Sequence, residues 1–281
     1  MTAAGTGATR RAAVLGSPVA HSLSPVLHRA AYRALGLAGW SYDAHDVPAA
    51  DLPRFLQGLD DSWAGLSLTM PLKAAVLPLL DSVTPVVETV GAANTVLLAG
   101  GRRSGDNTDV PGMVTALAER GVRRVSSVSV LGGGATARAA LAAAASVSDR
   151  ASVYSRTDQR AAALHATADL LGLALDVRPW DDAAEGLMAP LVVNTTPLGA
   201  ADVLARSLPS TVGTLFEVLY DPWPTPLAAA WAERGGEVVD GLDLLVHQAV
   251  LQVGLMTGAS IEMAGLAALL RAAGERTLRP A

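Results

Sequence analysis

The sequence predicts an α/β protein that is built from two domains. Segments of strand and helix character alternate along the chain, and 281 residues are enough for two domains of ordinary size. A glycine triplet also separates a buried strand from an alanine-rich helix near the middle of the chain. No flexible linker stands at the expected boundary near Asp109, so we expect the domains to be joined tightly, with a cleft between them.

The first series of elements occupies the residues before Asp109. The apolar run Ala12–Leu15 predicts a buried strand, and Ser24-Pro25 opens an apolar-periodic helix that ends near Gly36. The further strands predicted here are Ser41–His45, Trp63–Thr69 and Ala93–Leu98, and the further helices are Pro48–Gln57, Pro71–Leu79 and Pro85–Val90.

The second series begins after Asp109, where helix Val110–Arg120 leads to strand Ser126–Leu131 and helix Ala135–Ser146. The further predicted strands are Ala151–Ser155, Ala174–Val177, Leu191–Asn194, Thr214–Val218 and Glu237–Val239. The further predicted helices are Asp158–Leu171, Thr225–Arg234, Leu242–Thr257 and Ile261–Ala273.

Composition limits the classes of function. A content of 51% hydrophobic residues with only two Phe and four Tyr predicts a core of Ala, Val and Leu. The net charge of -5 argues against nucleic acid or anionic lipid as partners, and the absence of cysteine excludes thiolate metal sites, so we expect no metal. No stretch reaches the roughly 20 apolar residues that span a bilayer. We expect a cytoplasmic protein with a short disordered leader at Met1–Arg11.

Lys73 is the only lysine in the chain, among 21 lysines and arginines. Arginine keeps its proton at any working pH, whereas burial can tune a lysine ammonium to exchange protons near neutrality. One interpretation is therefore a proton-transfer residue, and the other is a chance survivor in an arginine-biased genome. The surrounding segment Gly65–Lys73, a hydrophobic strand followed by a polar turn and a Pro-started helix, favours the first.

The glycine triplet forms part of a dinucleotide-binding pattern. Gly132-Gly133-Gly134-Ala135-Thr136-Ala137 matches G-x-G-x-x-A between a strand and a helix. In this pattern the glycines allow a tight turn and close approach of a pyrophosphate, and the helix N-terminus offers free N–H groups. The flanking strand and helix distinguish it from an ordinary flexible turn.

The end of the next strand indicates which dinucleotide is bound. An NAD site usually has Asp or Glu at this position, but the chain has Ser155, Arg156 and Thr157, with Arg160 one turn on. Two arginines suit a ribose 2′-phosphate, so we expect NADP. The alternative is a solvated arginine at a helix start.

Polar side chains in the first domain suggest a site for a hydroxylated carboxylic acid. Ser22 and Ser24 lie beside a helix start, and Asn94 and Asp109 lie at strand ends. Each has an ordinary explanation alone: Ser24 as a helix N-cap, the others as turn residues. Together with Lys73 they supply hydroxyls, an amide, a carboxylate and an ammonium.

On these motifs the chain resembles the shikimate dehydrogenase family over nearly its whole length. Nine signatures stand in the family's order: Gly16–Pro25, Gly65–Lys73, Gly91–Thr95, Gly105–Asp109, Gly132–Arg138, Ser155–Arg160, Asn194–Gly199, Tyr220–Leu227 and Gly241–Gln248. The resemblance implies an α/β substrate domain with a mixed, mainly parallel sheet (1–108), a Rossmann-type NADP domain (109–240), C-terminal helices that return to the substrate domain (241–281), and a catalytic cleft between the domains.

The resemblance also implies roles for individual residues. Lys73 and Asp109 would be the catalytic pair. The implied substrate contacts are Ser22, Ser24, Ser67, Thr69, Asn94, Tyr220 and Gln248. The implied cofactor contacts are the glycine turn (Gly132, Gly133, Gly134, Ala135, Thr136, Ala137), the strand end (Ser155, Arg156, Thr157, Arg160), Thr195 and Gly241.

This chain departs from the family pattern at two of these positions. Ser155 stands where NADP-specific members have Asn, and Ser67 is a shorter donor than the usual Asn. Of the histidines, His247 lies beside Gln248, and we expect it to point away from the site and to be structural, as we do for His28, His45 and His165. His21 is the one that we expect to line the pocket.

The implied reaction is the reversible NADP-dependent reduction of 3-dehydroshikimate to shikimate in chorismate biosynthesis. Lys73 would polarise the ketone and donate a proton, and Asp109 would orient it. Two alternatives remain: a quinate/shikimate dehydrogenase that uses NAD, and a non-catalytic ligand-sensing paralogue. Ser24 and the pair Arg156/Arg160 favour shikimate and NADP, and the Lys73–Asp109 pair favours catalysis. The sequence leaves monomer and homodimer open.

Overall fold

A computed structural model describes residues 9–278 of the protein. The strands are β1 Arg10–Gly16, β2 Trp40–Asp46, β3 Trp63–Leu68, β4 Ser82–Val83, β5 Thr95–Ala99, β6 Arg102–Asp106, β7 Val128–Leu131, β8 Arg150–Ser155, β9 Ala174–Pro179, β10 Leu191–Asn194, β11 Thr214–Glu217 and β12 Glu237–Val239. The helices are α1 Ser24–Ala34, α2 Leu52–Gln57, α3 Leu72–Ala75, α4 Pro85–Val90, α5 Asp109–Glu119, α6 Ala135–Ala144, α7 Ala161–Leu171, α8 Ala183–Gly186, α9 Pro226–Glu233, α10 Gly241–Thr257 and α11 Met263–Leu278.

The chain divides into two compact units. The first unit contains the residues up to Glu88, Ala92–Thr108, and the residues from Gln248 onward. The second unit contains Thr89–Gly91 and Asp109–His247. The division falls inside α10, so the chain returns to the first unit within a continuous helix.

A mixed six-stranded sheet forms the centre of the first unit, in the order β2-β1-β3-β5-β6-β4. β1 is parallel to β2 and β3, whereas β5 is antiparallel to both β3 and β6. All six residues of β3 are buried, and its partner register sets Ser67 opposite Thr95 of β5. α11 packs against α1 in this unit. Polar side chains at the end of β3 therefore lie in the interior.

The second unit has a fully parallel sheet in the order β12-β11-β10-β7-β8-β9. This is the doubly wound order of a Rossmann fold, with β7 and β10 at the position where the strand order reverses. Its main core contains Ala, Val and Leu almost throughout, with Phe216 as the one phenylalanine. The predicted α/β class and the predicted aliphatic core are both confirmed.

Several elements differ from the prediction: segment 71–79 is divided, and strands β4 and β6 and the short helix α8 are not predicted. Segment 71–79 is not one helix, because Pro78 has no N–H to donate; α3 ends at Ala75 and a 3-10 turn follows at Leu77–Leu79. Strand β6 escapes prediction, because its sequence RRSGD has no apolar alternation. It forms a hairpin with β5 through Gly100 and Gly101, which both have positive φ.

The predicted leader includes two residues that belong to a strand. Arg10 and Arg11 belong to β1, and the guanidinium of Arg11 lies 4.3 Å from the ring centre of Trp63. A cation over an aromatic face makes such a position favourable. Residues 1–8 lie outside the described part of the chain. Within residues 9–278, no helix combines the length and the apolar character that crossing a membrane requires.

Gly65 allows α10 to pack directly on β3. A Cβ atom at this position would lie 2.7 Å from Met256 Cγ and 2.9 Å from the carbonyl oxygen of Val96. Both distances are far below van der Waals contact, and the carbonyl belongs to the sheet backbone. Only glycine therefore fits between β3 and the C-terminal half of α10.

We predict that Gly65→Ala destabilises the protein by about 1–3 kcal/mol, the usual cost of overpacking a core. Gly254→Ala is the matched control: its Cβ would meet Ile261 Cδ1 at an ordinary 3.5 Å. Alanine inside a helix gains roughly 0.5–1 kcal/mol over glycine. Denaturant titration of both variants measures the difference, and equal stabilities would contradict this packing.

Candidate functional site

The two serines after β1 have different surroundings. Ser24 is buried at the first position of α1, and the N-cap residue is Leu23, so the N-cap interpretation of Ser24 is wrong. The Ser22 hydroxyl instead accepts a hydrogen bond from the Ser24 N–H at 3.3 Å, and the Ser24 carbonyl accepts from His28 Nδ1 at 2.9 Å. His21, beside Ser22, is exposed. The Ser24 hydroxyl is therefore buried beside the start of α1 without acting as its N-cap.

The loop between β3 and α3 passes close to Gly16. A Cβ at Gly16 would lie 2.3 Å from Thr69 Cγ2, so the glycine of the first motif makes room for the threonine of the second. The Thr69 N–H donates to the Leu15 carbonyl at 2.9 Å. Thr69 thus directly follows β3 and is held against the end of β1, and the half-buried Lys73 follows in α3.

A backbone hydrogen bond connects Lys73 to the start of β5. The Ala93 N–H donates to the Lys73 carbonyl at 2.8 Å, and Asn94 follows Ala93 directly. The Asn94 carbonyl accepts from the Leu68 N–H at 2.7 Å. The segments that contain the lone lysine and the buried amide of Asn94 are therefore fixed to one another.

Asn94, Thr108 and Gln248 form a buried polar group in the first unit. The Thr108 N–H donates to Asn94 Oδ1 at 2.8 Å, and Asn94 Nδ2 donates to Thr108 Oγ1 at 2.9 Å. Gln248 Oε1 lies 3.5 Å from both Asn94 Nδ2 and Thr108 Oγ1. The sequence motifs indicate Asn94 and Gln248 but not Thr108, because a threonine between Asn and Asp resembles ordinary turn chemistry.

Ser67 is buried and contacts two residues that the motifs do not suggest. The Tyr42 hydroxyl donates to Ser67 Oγ at 2.6 Å, and Ser67 Oγ donates to Gln252 Oε1 at 2.7 Å. The single hydroxyl proton of Ser67 therefore already has an acceptor within the protein. Tyr42 and Gln252 lie 25 and 185 residues from Ser67 in the chain.

Two of the predicted site residues belong to the second unit. Asp109 is buried at the first position of α5 and follows Thr108 in the chain. Tyr220 is half-buried after the end of β11. The structure thus groups Ser22, Ser24, Ser67, Thr69, Lys73, Asn94 and Gln248 in the first unit, and Asp109 and Tyr220 in the second.

In the glycine turn, Gly132 and Gly133 are closely packed, whereas Gly134 has space beside it. Gly132 has φ +105°, and a Cβ there would lie 2.7 Å from Thr195 Oγ1. A Cβ at Gly133 would lie 2.6 Å from Ser155 Oγ. At Gly134 the nearest atom would be a guanidinium nitrogen of Arg160, 3.8 Å away, so this position is open and has a cation beside it. Such a turn before the N-terminus of α6 suits a phosphate group.

The remaining residues of that turn and its neighbours have mainly structural contacts. Ala135 and Thr136 begin α6, and Ala137 is fully buried. Thr195 donates to the Leu131 carbonyl from both its N–H, at 2.9 Å, and its hydroxyl, at 2.8 Å. Gly241 is buried, and a Cβ there would lie 2.2 Å from the Val218 carbonyl oxygen. The glycine at 241 is therefore required by backbone packing.

The segment after β8 presents its cations to solvent. Ser155 is buried, and its hydroxyl oxygen lies 3.5 Å from the Thr157 nitrogen across a short turn. The side chains of Arg156, Thr157 and Arg160 are exposed. Burial and then the charge of Arg160 lower the pKa of Arg138. The side chain of Arg160 lies beside Gly133 and Gly134, so one exposed cation is adjacent to the glycine turn.

Arg138 has a structural contact that its motif does not indicate. Its Nε donates to the Val90 carbonyl at 2.5 Å, and a terminal nitrogen donates to the Gly91 carbonyl at 2.9 Å. Gly91 has positive φ. Arg138 therefore fixes α6 to the beginning of the Gly91–Thr95 motif.

Glu217 is fully buried at the end of β11. Its Oε2 accepts from Asn194 Nδ2 at 2.8 Å and from Thr225 Oγ1 at 3.1 Å, and its Oε1 accepts from the Leu219 N–H at 3.3 Å. Burial raises the pKa of Glu217 to about 7 despite these three donors. The carboxyl joins the end of β10, where the Asn194–Gly199 motif starts, to the N-terminus of α9.

Two histidines have the structural surroundings that we expect. His28 stacks on Tyr42 at 3.8 Å between ring centres, and burial lowers its pKa to about 4. His247 Nε2 lies 3.0 Å from Glu119 Oε2. Asp243 lies near this pair and accepts from Arg120 at 3.1 Å. The three potential metal ligands Glu119, Asp243 and His247 thus have protein partners already.

Comparison with known proteins points to one family. Residues 14–96 match the model of the shikimate dehydrogenase substrate binding domain. A shikimate dehydrogenase (NADP(+)) of Thermus thermophilus is 40% identical over 260 residues, which cover 91% of this chain and 95% of that protein. The crystal structure of Mycobacterium tuberculosis shikimate dehydrogenase is 39% identical with a TM-score of 0.85, covering 94% of this chain and 99% of that one. A shikimate 5-dehydrogenase from Thermus thermophilus, crystallised in complex with NADP(H) and shikimate, is 38% identical with a TM-score of 0.79 and covers 94% and 99%.

The raised pKa of Glu217 predicts a pH-dependent effect on stability. A buried carboxyl with a folded pKa near 7 stabilises the fold fully below its ordinary value of 4.5, and this stabilisation is lost as the pH rises through 7. Glu217→Gln removes the ionisation. We therefore expect the melting temperature of Glu217→Gln, relative to the original protein, to improve steadily as the pH rises from about 5 to about 7.

The matched control is Glu233→Gln, at an exposed position of α9. Its melting temperature should keep a constant offset over the same pH range. Thermal unfolding of the three proteins at several pH values measures both trends. A constant offset for Glu217→Gln as well would show that Glu217 is ionised throughout.

Proposed function

The chain belongs to the shikimate dehydrogenase family, and on this basis we propose that it catalyses the reversible NADP-dependent reduction of 3-dehydroshikimate to shikimate. The reaction would serve chorismate and aromatic amino acid biosynthesis. The first unit would bind the ring polyol acid, and the second unit would bind the dinucleotide. The proposal rests on one observation above all, the fixed arrangement of the lone lysine's segment and a buried amide cluster in the first unit.

That arrangement suits a substrate with several hydroxyls and a carboxylate. The bond from the Ala93 N–H to the Lys73 carbonyl links α3 to Asn94, whose side chain contacts Thr108 and approaches Gln248. Buried amides in a fixed geometry discriminate strongly between ligands that do and do not complete their hydrogen bonds. The serines and threonine of the first two motifs add hydroxyl groups at the ends of neighbouring strands: Ser22, Ser24 and Thr69.

The second unit fits NADP better than NAD. Gly134 and the N-terminus of α6 would hold the pyrophosphate, and Arg156 and Arg160 would pair with the 2′-phosphate, since no carboxylate follows β8 directly. When bound, the reduced cofactor supplies the hydride for the ketone carbon. Thr195 and Gly241 would line the remainder of the cofactor site.

Lys73 would transfer the proton in this reaction, and Asp109 would assist it. As hydride adds to the carbonyl carbon, negative charge develops on the oxygen, and the Lys73 ammonium would stabilise it and supply the proton. In the oxidative direction the amine would take the proton back from the hydroxyl. The Asp109 carboxylate would orient the ammonium, and Tyr220 would contact the substrate from the second unit.

The experiment that tests the proposal is a matrix of initial rates. Shikimate and quinate are each oxidised with NADP+ and with NAD+, and the proposal requires the shikimate–NADP+ combination to be the fastest. Faster oxidation of quinate with NAD+ would favour the quinate dehydrogenase alternative. Tight binding of shikimate without turnover would favour a ligand-sensing paralogue.

We predict that Lys73→Ala lowers kcat by orders of magnitude with a modest change in KM for shikimate. Lys73→Arg is the informative companion, because it retains the charge but not an exchangeable proton at neutral pH. If proton transfer is the role of Lys73, Lys73→Arg stays nearly as slow as Lys73→Ala. Near-normal turnover by Lys73→Ala would contradict the assignment.

We predict that replacing Arg156 and Arg160 together by Ser raises KM for NADP+ about 10- to 100-fold, since hydrogen bonds to charged groups contribute about 1.5–3 kcal/mol each and exposure weakens them. KM for NAD+ should change little, because NAD+ has no 2′-phosphate. Arg123→Ser, at an exposed arginine of the same unit, is the control. Equal effects on both cofactors would mean that the pair contacts no 2′-phosphate.

A further inference from the structure

A continuous series of buried hydrogen bonds runs from Tyr42 to Asn94 inside the first unit. The Tyr42 and Ser67 oxygens are 2.6 Å apart, and Ser67 Oγ is 2.7 Å from Gln252 Oε1. Gln252 Nε2 then lies 2.9 Å from Thr95 Oγ1 and 3.2 Å from the Asn94 carbonyl. All five residues are buried. The series joins β2, β3, β5 and α10.

The orientation of the Gln252 amide follows from its neighbours. The Asn94 carbonyl can only accept, and the Thr95 hydroxyl proton is already donated to Asn94 Oδ1 at 2.8 Å. Asn94 Oδ1 must be an acceptor in turn, because it also faces the Thr108 N–H. The group of Gln252 that faces Asn94 and Thr95 is therefore its NH2, and its oxygen faces Ser67.

This orientation determines the direction of the hydroxyl bonds. Because Gln252 Oε1 is an acceptor, Ser67 must donate its single proton to it. The Tyr42 hydroxyl must then donate to Ser67. Burial raises the pKa of Tyr42, and hydrogen bonds with Ser67 and Ser24 only partly oppose that rise, so the phenol keeps the proton it donates. Ser67 has one lone pair left and no proton, and towards a ligand it is an acceptor only.

We propose that Tyr42 and Gln252 are positioning residues for substrate binding, which fix Ser67 as a hydrogen-bond acceptor for a substrate hydroxyl and fix the peptide of Asn94 beside it. The inference rests on the proposed function. When Ser67 can only accept, it binds a ligand hydroxyl that donates its hydrogen. A serine whose proton had no acceptor in the protein could also donate to the carbonyl oxygen of a different ligand. If Ser67 were instead a hydrogen-bond donor to the substrate, neither Tyr42 nor Gln252 would be needed to set its role.

The position of Tyr42 is itself fixed from the start of α1. His28 stacks on the Tyr42 ring at 3.8 Å, and the His28 Nδ1 contacts the Ser24 carbonyl at 2.9 Å. A change in the Tyr42 hydroxyl therefore affects Ser67 directly, while the ring can keep its stacking partner. Substitution by Phe isolates the hydroxyl for this reason.

The test compares Tyr42→Phe with Tyr32→Phe. Tyr32 lies in the same aromatic cluster, 6.4 Å from Tyr42 between ring centres, and its buried hydroxyl has no hydrogen-bond partner among the described residues. We expect Tyr42→Phe to raise KM for shikimate about 3- to 10-fold, the effect of one hydrogen bond, with a smaller change in kcat and none in KM for NADP+. Tyr32→Phe should leave all three constants unchanged.

A double-mutant cycle with Ser67→Ala locates the effect. If Tyr42 acts through Ser67, Tyr42→Phe should have no further effect on KM in the Ser67→Ala background. Gln252→Met tests the series from its other end and should also raise KM for shikimate selectively. Melting temperatures of all variants separate lost binding from lost folding.

The outcomes separate the two proposals. Absence of shikimate oxidation in the original protein would refute the proposed function. Activity in the original protein, combined with equal KM values for Tyr42→Phe, Tyr32→Phe and the original, would refute the positioning role alone. An undiminished effect of Tyr42→Phe in the Ser67→Ala background would likewise refute it.

Discussion

The polar interior of the first unit depends on the hydrogen bonds of one residue, Asn94. Its N–H donates to the Asp106 carbonyl at 3.1 Å, and its own carbonyl accepts from the N–H of Leu68 and from Gln252. Its side-chain oxygen accepts from the backbone of Thr108. Since a buried amide left without a partner costs about 1–3 kcal/mol, each of these bonds restricts the others. The hydrogen bonds of Asn94, which directly precedes β5, therefore connect β3, β6 and α10 to the start of β5.

Local sequence patterns predict those elements whose own residues determine the structure. They do not predict elements or hydrogen bonds that depend on residues far away in the chain. Short strands with apolar centres and the glycine turn after β7 identify a parallel nucleotide-binding sheet, because that fold needs both features at fixed places. The short polar strand β6 has neither feature, so only its pairing with β5 reveals it. The same limit holds for single hydrogen bonds: Gln252 lies 185 positions from Ser67, and nothing in its own helix distinguishes it from other buried amides.

Burial acts on two titratable groups in opposite directions. The folded pKa of His28 is lowered to about 4, so its stabilising effect is complete above its ordinary value of 6.5 and is lost as the pH falls through 4. The folded pKa of Glu217 is raised to about 7, so its effect is complete only below 4.5. No single pH therefore gives the full stabilisation from both groups. Acid reduces the stability contributed by His28 in the first unit and increases that contributed by Glu217 in the second.

The single lysine has a further consequence, for proteolysis. A protease specific for lysine has one cleavage position in the whole chain, inside the short helix α3. Cutting there requires local opening of that helix. The rate of this one cut would therefore report how often the segment of Lys73 departs from its native position, without any label or substitution.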